Sequence, residues 1–194
     1  MITGLRRDSK LHGILPDIES HAACPELTHA MRGTRIWMSA GNTSSSLHFD
    51  THDAVVMQMH GTKHWILYHP NSAPQTYMDH VDRYGLSPIN TDRVDLHRFP
   101  EFESAHAEHV FMVPGDILYL PALVWHVVHT PPGRNVAVVR ETEYKQQVKM
   151  GTFSAESSQA AFLHAYDYMM RHRPRELRCT RDDIDLDIPV EDHH

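Results

Sequence analysis

Two histidines and an aspartate are the residues of this sequence whose types and spacing are best suited to chemistry. His48 and Asp50 stand two apart in "SLHFDTH", and residues at that spacing in a β-strand point to the same side. His126, in the apolar stretch "LPALVWHVVHT", offers a third side chain from another strand. Two imidazoles and one carboxylate on one face form an iron(II) site that keeps coordination positions open. The pattern therefore predicts a metal site at these three residues.

The H-x-D triplet alone is a weak signal. The chain contains 18 histidines, and His52-Asp53 directly beside the triplet is a competing pair. We expect most of the other histidines near the site to be solvated or hydrogen-bonded barrel residues. These are His52, His60, His64, His69 and His129. The prediction of a metal site therefore depends on the surrounding sequence.

A lysine stands fifteen residues after the first histidine of the triplet. Lys63 follows the turn at Gly61-Thr62 and begins the returning apolar run. A lysine ammonium buried in a barrel is costly unless it meets an anion, so Lys63 suits a carboxylate that enters with a ligand. The competing interpretation is a solvated hairpin lysine, which is the commoner position of a lysine beside a glycine turn.

The elements that must position these residues are β-strands. From residue 35 onward, runs such as "AVVMQMHGTKHWILYH", "HVFMVPGDILYLPALVWHVVHT" and "NVAVVRETEY" are rich in Val, Ile, Tyr and Trp and are separated by Gly and Pro. Several short strands at this spacing predict a β-barrel or sandwich. Residues 71–108 are polar and contain prolines, which predicts a long excursion with a short helix.

The region after the strands predicts one helix. Residues 153–173 carry apolar side chains at helical spacing, so this helix packs on the barrel or against a second copy of the chain. The stripe consists of Phe162, Leu163, Tyr166, Met169 and Met170. Residues 179–194 predict an extended or disordered acidic tail.

Length and composition limit the broad class of protein. The 194 residues predict a single domain, 1–194, and a net charge of −7 leaves a nucleic-acid partner unsupported. Cys24 and Cys179 lie far apart without a C-x-x-C pair, which favours a reducing, cytoplasmic location. No stretch has the composition of a signal peptide or a membrane span, so we expect no membrane partner.

The order of these motifs resembles that of the JmjC-type, cupin-like iron and 2-oxoglutarate oxygenases. The similarity rests on H-x-D, the lysine at plus fifteen, "HWILYHP", and "PGDILYLPALVWHVV" with the distal histidine. It is strongest to the small hydroxylase branch that includes the asparaginyl hydroxylase of hypoxia-inducible factor. The resemblance implies a mainly β fold, a double-stranded β-helix (jelly-roll, cupin-like) barrel with a C-terminal helix, and a barrel core over 35–142.

The resemblance also implies an activity and roles for individual residues. A dioxygenase of this type hydroxylates an unactivated C–H bond and releases succinate and CO2. His48, Asp50 and His126 would hold Fe(II), while Lys63 and Ser45 would bind the distal carboxylate of 2-oxoglutarate, the cosubstrate used with O2. No catalytic residue beyond the metal ligands is expected. The implied substrate is a protein or peptide side chain, or an amino-acid-like molecule.

Four further residues are predicted to line the pocket. Trp37 and Ser39 lie on the strand that leads in, and Trp65 follows Lys63 on the next strand. Arg140 or its neighbour Glu141 points inward from the last strand, which makes Arg140 an alternative partner for the 2-oxoglutarate carboxylate. Lys63 is preferred because it fits with the serine as a pair, and Arg140 would then meet the substrate.

Two alternatives concern function and assembly. A non-catalytic cupin-like module that binds a metal or a small acid would have the same residues without turnover. The resembled family usually has more strands before the H-x-D triplet than 47 residues supply. The barrel is therefore either minimal or completed by a second chain, as in a homodimer.

Overall fold

Residues 31–73, 75–77 and 86–142, which the computed structural model describes, form eight β-strands. β-branched and aromatic residues dominate several of them, as in "AVVMQMH" and "WHVVHT". The strands are β1 (Met31–Ser39), β2 (Thr43–Ser44), β3 (Ala54–His60), β4 (Lys63–Tyr68), β5 (Ala107–Met112), β6 (Ile117–Leu120), β7 (Trp125–Thr130) and β8 (Asn135–Thr142).

The strands form two four-stranded antiparallel sheets. The first sheet has the order β1-β8-β3-β6, and the second has the order β2-β7-β4-β5. Neighbours within each sheet come from distant parts of the sequence, as in a jelly roll. The prediction of a mainly β, cupin-like fold is confirmed.

The turn at Gly61-Thr62 joins the two sheets and does not close a hairpin. Strand β3 pairs with β6 and β8, whereas β4 pairs with β5 and β7. The hairpin interpretation was therefore wrong, because each strand already has two partners in its own sheet. Lys63 is the first residue of a central strand in the second sheet.

Gly61 is required at this crossing for two reasons. Its φ is +72°, and a Cβ there would lie 2.4 Å from the backbone oxygen of Arg134. Gly115 also has a positive φ, +95°, but a Cβ there would meet nothing within 4 Å. Comparing alanine substitutions at Gly61 and Gly115 therefore separates the energetic cost of the positive φ from the cost of the steric contact.

We expect Gly61→Ala to lower the free energy of unfolding by about 1–3 kcal/mol more than Gly115→Ala does, because only Gly61→Ala adds an overlap with backbone. Urea denaturation of both variants measures the difference. Equal losses at the two positions would contradict the contact at the crossing.

Apolar side chains form two clusters that bear on the site. One fills the space between the two sheets, and the other covers the outer face of the second sheet. The interior cluster contains Ala54, Val56, Trp65, Met112, Leu120 and Ala137, which come from both sheets. The outer cluster joins residues of β4 and β7 to the long excursion. It contains Leu47, Phe49, Tyr68, Ala73, Ile89, Phe99, Ala122, Leu123, Trp125 and Val127. The excursion therefore acts as a cover for one part of the second sheet.

Within its described residues, the excursion contains two short 3-10 helices. They span Pro70–Ser72 and Pro100–Ser104, and each has proline in its first turn, where the missing N–H costs no helical bond. The predicted helix at 153–173 and tail at 179–194 lie outside the described residues. Within the described residues, no helix combines the length and the hydropathy that a membrane crossing requires.

Candidate metal centre

Alternation along residues 47–50 directs the H-x-D side chains into the barrel. Leu47 and Phe49 are buried in the outer cluster beneath the excursion. Because successive side chains of an extended segment point to opposite faces, His48 and Asp50 face the interior. The burial of Leu47 and Phe49 in the outer cluster therefore determines that the His48 and Asp50 side chains point to the interior.

The same alternation places His126 in the interior. Its neighbours Trp125 and Val127 are completely buried in the outer cluster. The amide of His48 donates to the carbonyl of His126 at 3.1 Å, and the amide of His126 donates to the carbonyl of His48 at 2.7 Å. This pair of backbone hydrogen bonds holds the two imidazoles side by side, with ring centroids 4.1 Å apart.

The three side chains converge on one point with defined donor atoms. His48, Asp50 and His126 each offer a ligand atom, and these atoms all lie within 4.8 Å of one another. Nδ1 of His48 lies 2.7 Å from the carbonyl of Ser46, and Nδ1 of His126 lies 2.9 Å from the carbonyl of Val124. A carbonyl only accepts, so each Nδ1 carries the proton and each Nε2 keeps its lone pair. Within the described part of the chain, no other set of three or more histidine, cysteine or carboxylate side chains has its ligand atoms within this distance.

The buried position of His126 favours its neutral form. Burial, together with the nearby His48, lowers the pKa of His126 to about 4, although the Asp50 carboxylate opposes the shift. A neutral imidazole is the form that binds metal ions. The Asp50 side chain is 39% exposed, so the site opens to solvent on the carboxylate side.

The competing His52-Asp53 pair has structural contacts. The buried Asp53 carboxylate accepts hydrogen bonds from the Tyr119 hydroxyl at 2.6 Å and the Ala122 amide at 2.7 Å, which fixes the turn before β7. Nε2 of His52 lies 3.1 Å from a Glu141 oxygen that also binds Arg35. Burial acts to lower the pKa of His52, but the Glu141 carboxylate raises it above its ordinary value.

Lys63 lies on the same face of the second sheet as His126, as register predicts. Its Nζ donates to Oγ1 of Thr130 at 3.0 Å, and burial lowers its pKa. Ser45 does not contact it, because the Ser45 hydroxyl accepts the Val128 amide at 2.9 Å. Thr130 was missed in the sequence, although it stands four residues after His126 and shares its strand face.

A cavity of about 750 Å³ opens beside Lys63. The three metal-ligating candidates are not among its lining residues. The lining consists of Asn42, Thr43, Ser44, Thr62, Lys63, His64, Asp92, Phe111, Met112, Val113, His129, Thr130 and Pro131.

Along β4, Trp65 lies between Lys63 and Leu67, the residue that pairs with His126. Its ring centroid is 5.8 Å from that of His126. Its indole N–H is buried and has no hydrogen-bond partner among the described residues. Trp37 and Ser39 pair with Ala137 and Asn135, so alternation places them on the inner face of the first sheet.

Arg140 does not point toward His48, Asp50 and His126. It pairs with Thr34 and Val55 and lies on the face of β8 opposite to Ala137. The adjacent Glu141 points inward in its place and meets Arg35. Alternation along the last strand left Arg140 and Glu141 as candidates for the inward position. In the structure, Glu141 is the one that points to the interior.

A jelly roll with a converging His-Asp-His set defines a cupin-type barrel with a candidate metal centre. The family model described as a cupin-like domain matches residues 5–140. The chain belongs to this cupin-like domain family, and the predicted resemblance to JmjC-type, cupin-like proteins is confirmed.

Several known proteins are similar to parts of the chain. HSPB1-associated protein 1 of Bos taurus is 31% identical over 99 residues, which cover 49% of this chain and 20% of that protein. Lysine-specific demethylase 8 of Danio rerio is 30% identical over 95 residues, covering 48% and 23%. The bifunctional peptidase and (3S)-lysyl hydroxylase JMJD7 of Homo sapiens is 28% identical over 149 residues, covering 64% and 47%. The matched regions thus span less than half the length of these relatives.

Proposed function

We propose that this protein is an Fe(II)- and 2-oxoglutarate-dependent dioxygenase that hydroxylates a C–H bond. The observation that carries the proposal is the convergence of His48, Asp50 and His126, with both Nε2 atoms free to bind. Two imidazoles and one carboxylate form the facial set of non-haem iron oxygenases. When bound, the iron supplies the oxidation, in which O2 and 2-oxoglutarate convert the C–H bond to C–OH and leave succinate and CO2.

The donor set fits ferrous iron. Its nitrogen and oxygen donors contain no thiolate, and three protein ligands leave positions for other molecules. The backbone carbonyls of Ser46 and Val124 hold the two rings in the tautomer that ligates through Nε2. The chain thus supplies ligation and orientation, with no further acid or base assigned.

Lys63 suits the distal carboxylate of 2-oxoglutarate. Its ammonium is partly buried and bonds to a neutral hydroxyl, and no carboxylate among the described residues lies within ion-pair distance of it. An anion would compensate the lost solvation of this charge. The buried indole N–H of Trp65 is a second donor that a bound acid could satisfy. Ser45 stays a proposed contact, and Thr130 joins it as the residue that holds the lysine.

Lys63→Met is expected to raise the Kd of 2-oxoglutarate about 10- to 100-fold, because one charged hydrogen bond is lost. Isothermal titration of the Mn²⁺-loaded protein measures this change. Arg134→Met, which removes an exposed cation, is the matched control and should leave the Kd unchanged. A loss of affinity in Arg140→Met but not in Lys63→Met would assign the carboxylate to Arg140.

The substrate is proposed to be a side chain of a protein or peptide. The relatives named as a lysyl hydroxylase and a lysine-specific demethylase support this class. Trp37, on the inner face of the edge strand β1 and 37% exposed, is available to an incoming chain. A small amino-acid-like substrate is the second candidate, and Fe(II), 2-oxoglutarate and O2 are common to both. A cytoplasmic location and a homodimer stay predictions.

Anaerobic addition of Fe(II) and 2-oxoglutarate to the protein tests the proposal. We expect a visible metal-to-ligand charge-transfer band, followed by succinate release when O2 and a peptide substrate are supplied. No band from folded wild-type protein would overturn the oxygenase proposal. A band without succinate release from any substrate screened would favour a non-catalytic module that binds a metal and a small acid.

A further inference from the structure

A second group of histidines lies on the outer face of the second sheet. His64 on β4 is paired in register with His129 on β7, and His109 on β5 lies across from Ile66 on the same face. Because residues two apart share a face, the three imidazoles project together, on the side of the sheet opposite to His126. The group is therefore separate from the candidate iron site.

Apart from Asp92, the described part of the excursion does not contact these histidines. Ile66 and Tyr68, further along β4 on the same face, pack in the outer cluster with Val127. His64 and His129 are only partly buried, and His109 is exposed. His64 and His129 also line the 750 Å³ cavity. An ion from solution can therefore reach the group directly.

His64 lies next to both of the other imidazoles. Nε2 of His64 lies 2.8 Å from Nδ1 of His109, and the ring centroids of His64 and His129 are 5.8 Å apart. At the shorter contact, one nitrogen must accept through a lone pair, so at least one of the two rings is neutral. Phe111 stacks on His64 with centroids 4.2 Å apart and fixes the plane of that ring.

We propose that His64, His109 and His129 form a second metal site, for a divalent transition ion such as Zn²⁺. Three imidazoles suit this class of ion, and a water molecule or Asp92 would complete the coordination. Oδ1 of Asp92 lies 3.7 Å from Nδ1 of His129, so the carboxylate is placed to ligate or to orient that ring.

Formation of the site requires side chains to turn, because the ligand atoms of the three histidines do not all lie within 4.8 Å of one another in the structure. Nitrogens bound to one tetrahedral zinc ion lie about 3.4 Å apart, given Zn–N distances of about 2.0–2.1 Å. The 2.8 Å contact of His64 with His109 must therefore open slightly. His109 is exposed on the edge strand β5, so its side chain can turn without disturbing the core.

Calorimetric titration of the apoprotein with ZnCl2 tests this site. We expect His64→Ala and His109→Ala each to bind one zinc ion fewer than wild type, or to bind it more than about tenfold more weakly. His97→Ala, which removes an exposed histidine of the excursion, is the matched control and should behave as wild type. His48→Ala should lose a different ion and keep this one, which separates failure of the iron site from failure of the second site.

Wild-type stoichiometry and affinity in both His64→Ala and His109→Ala would overturn the proposal. Circular dichroism establishes that each variant is folded. If His64→Ala does not fold, His109→Ala decides, because its side chain contributes to neither apolar cluster.

Discussion

Asp50→Ala is expected to weaken Fe(II) binding by more than about a hundredfold, beyond the 10- to 100-fold cost of losing a residue that only orients a ligand. Asp50 supplies the only anionic donor of the set, and its carboxylate lies 3.8 Å from Nε2 of His126. Without it, two neutral imidazoles remain to hold a doubly charged ion. The proposed hydroxylation should be lost together with Fe(II) binding.

The variant is suited to the test because it should fold. The Asp50 side chain is 39% exposed, and the contact that it makes to the turn before β7 uses its backbone carbonyl, which accepts the Leu123 amide at 2.7 Å. Anaerobic Fe(II) titration with 2-oxoglutarate should give no charge-transfer band at iron concentrations that saturate wild type. Glu108→Ala, which removes an exposed carboxylate on β5, should keep the band. A band of full intensity in folded Asp50→Ala would exclude Asp50 as a ligand.

Trp125→Ala is expected to lower the free energy of unfolding by about 3–5 kcal/mol, the usual cost of deleting a large aromatic side chain from a core. Trp125 is completely buried, and its ring meets that of Phe49 edge-on with centroids 4.7 Å apart. Phe49 and Trp125 are the direct neighbours of Asp50 and His126. Their packing therefore stabilises the fold and also sets the direction of the metal side chains.

Trp37→Ala provides the matched control, since that tryptophan is 37% exposed. It should cost less than about 1 kcal/mol, as substitutions near the surface do. Urea unfolding followed by circular dichroism measures both variants. A loss at Trp125→Ala as small as the one expected for Trp37→Ala would mean that the outer cluster contributes little to stability.

The direction of the metal side chains could be predicted from the sequence because it depends on alternation alone. Leu47, His48, Phe49 and Asp50 alternate between apolar and polar, and the structure divides them between two faces accordingly. The apolar runs likewise predicted the strands around the site. The triplet was predicted to lie in a β-strand, but it lies between β2 and β3 and meets β7 only through the isolated bridge of His48 with His126. Alternation along this extended segment was sufficient to give the direction of the side chains.

Features that depend on pairing between distant strands could not be predicted. Whether Arg140 or Glu141 points inward is fixed by the register of β8 against β1 and β3, which includes irregularities in both pairings. The contact of Lys63 with Thr130 requires β4 to lie beside β7, and the sequence alone did not predict that pairing. The grouping of His64, His109 and His129 has the same origin, because no two of them are on one strand.

The reciprocal hydrogen bonds between His48 and His126 have a consequence for metal binding at the proposed site. The two residues lie on segments far apart in the sequence, and neither side chain is positioned until those segments pair. The unfolded chain therefore has no preformed site, and an ion bound at the three side chains would act as a cross-link that closes a long loop. Such an ion would favour the native state by mass action, so depletion of the metal would lower the thermal stability of the barrel as well as the proposed activity.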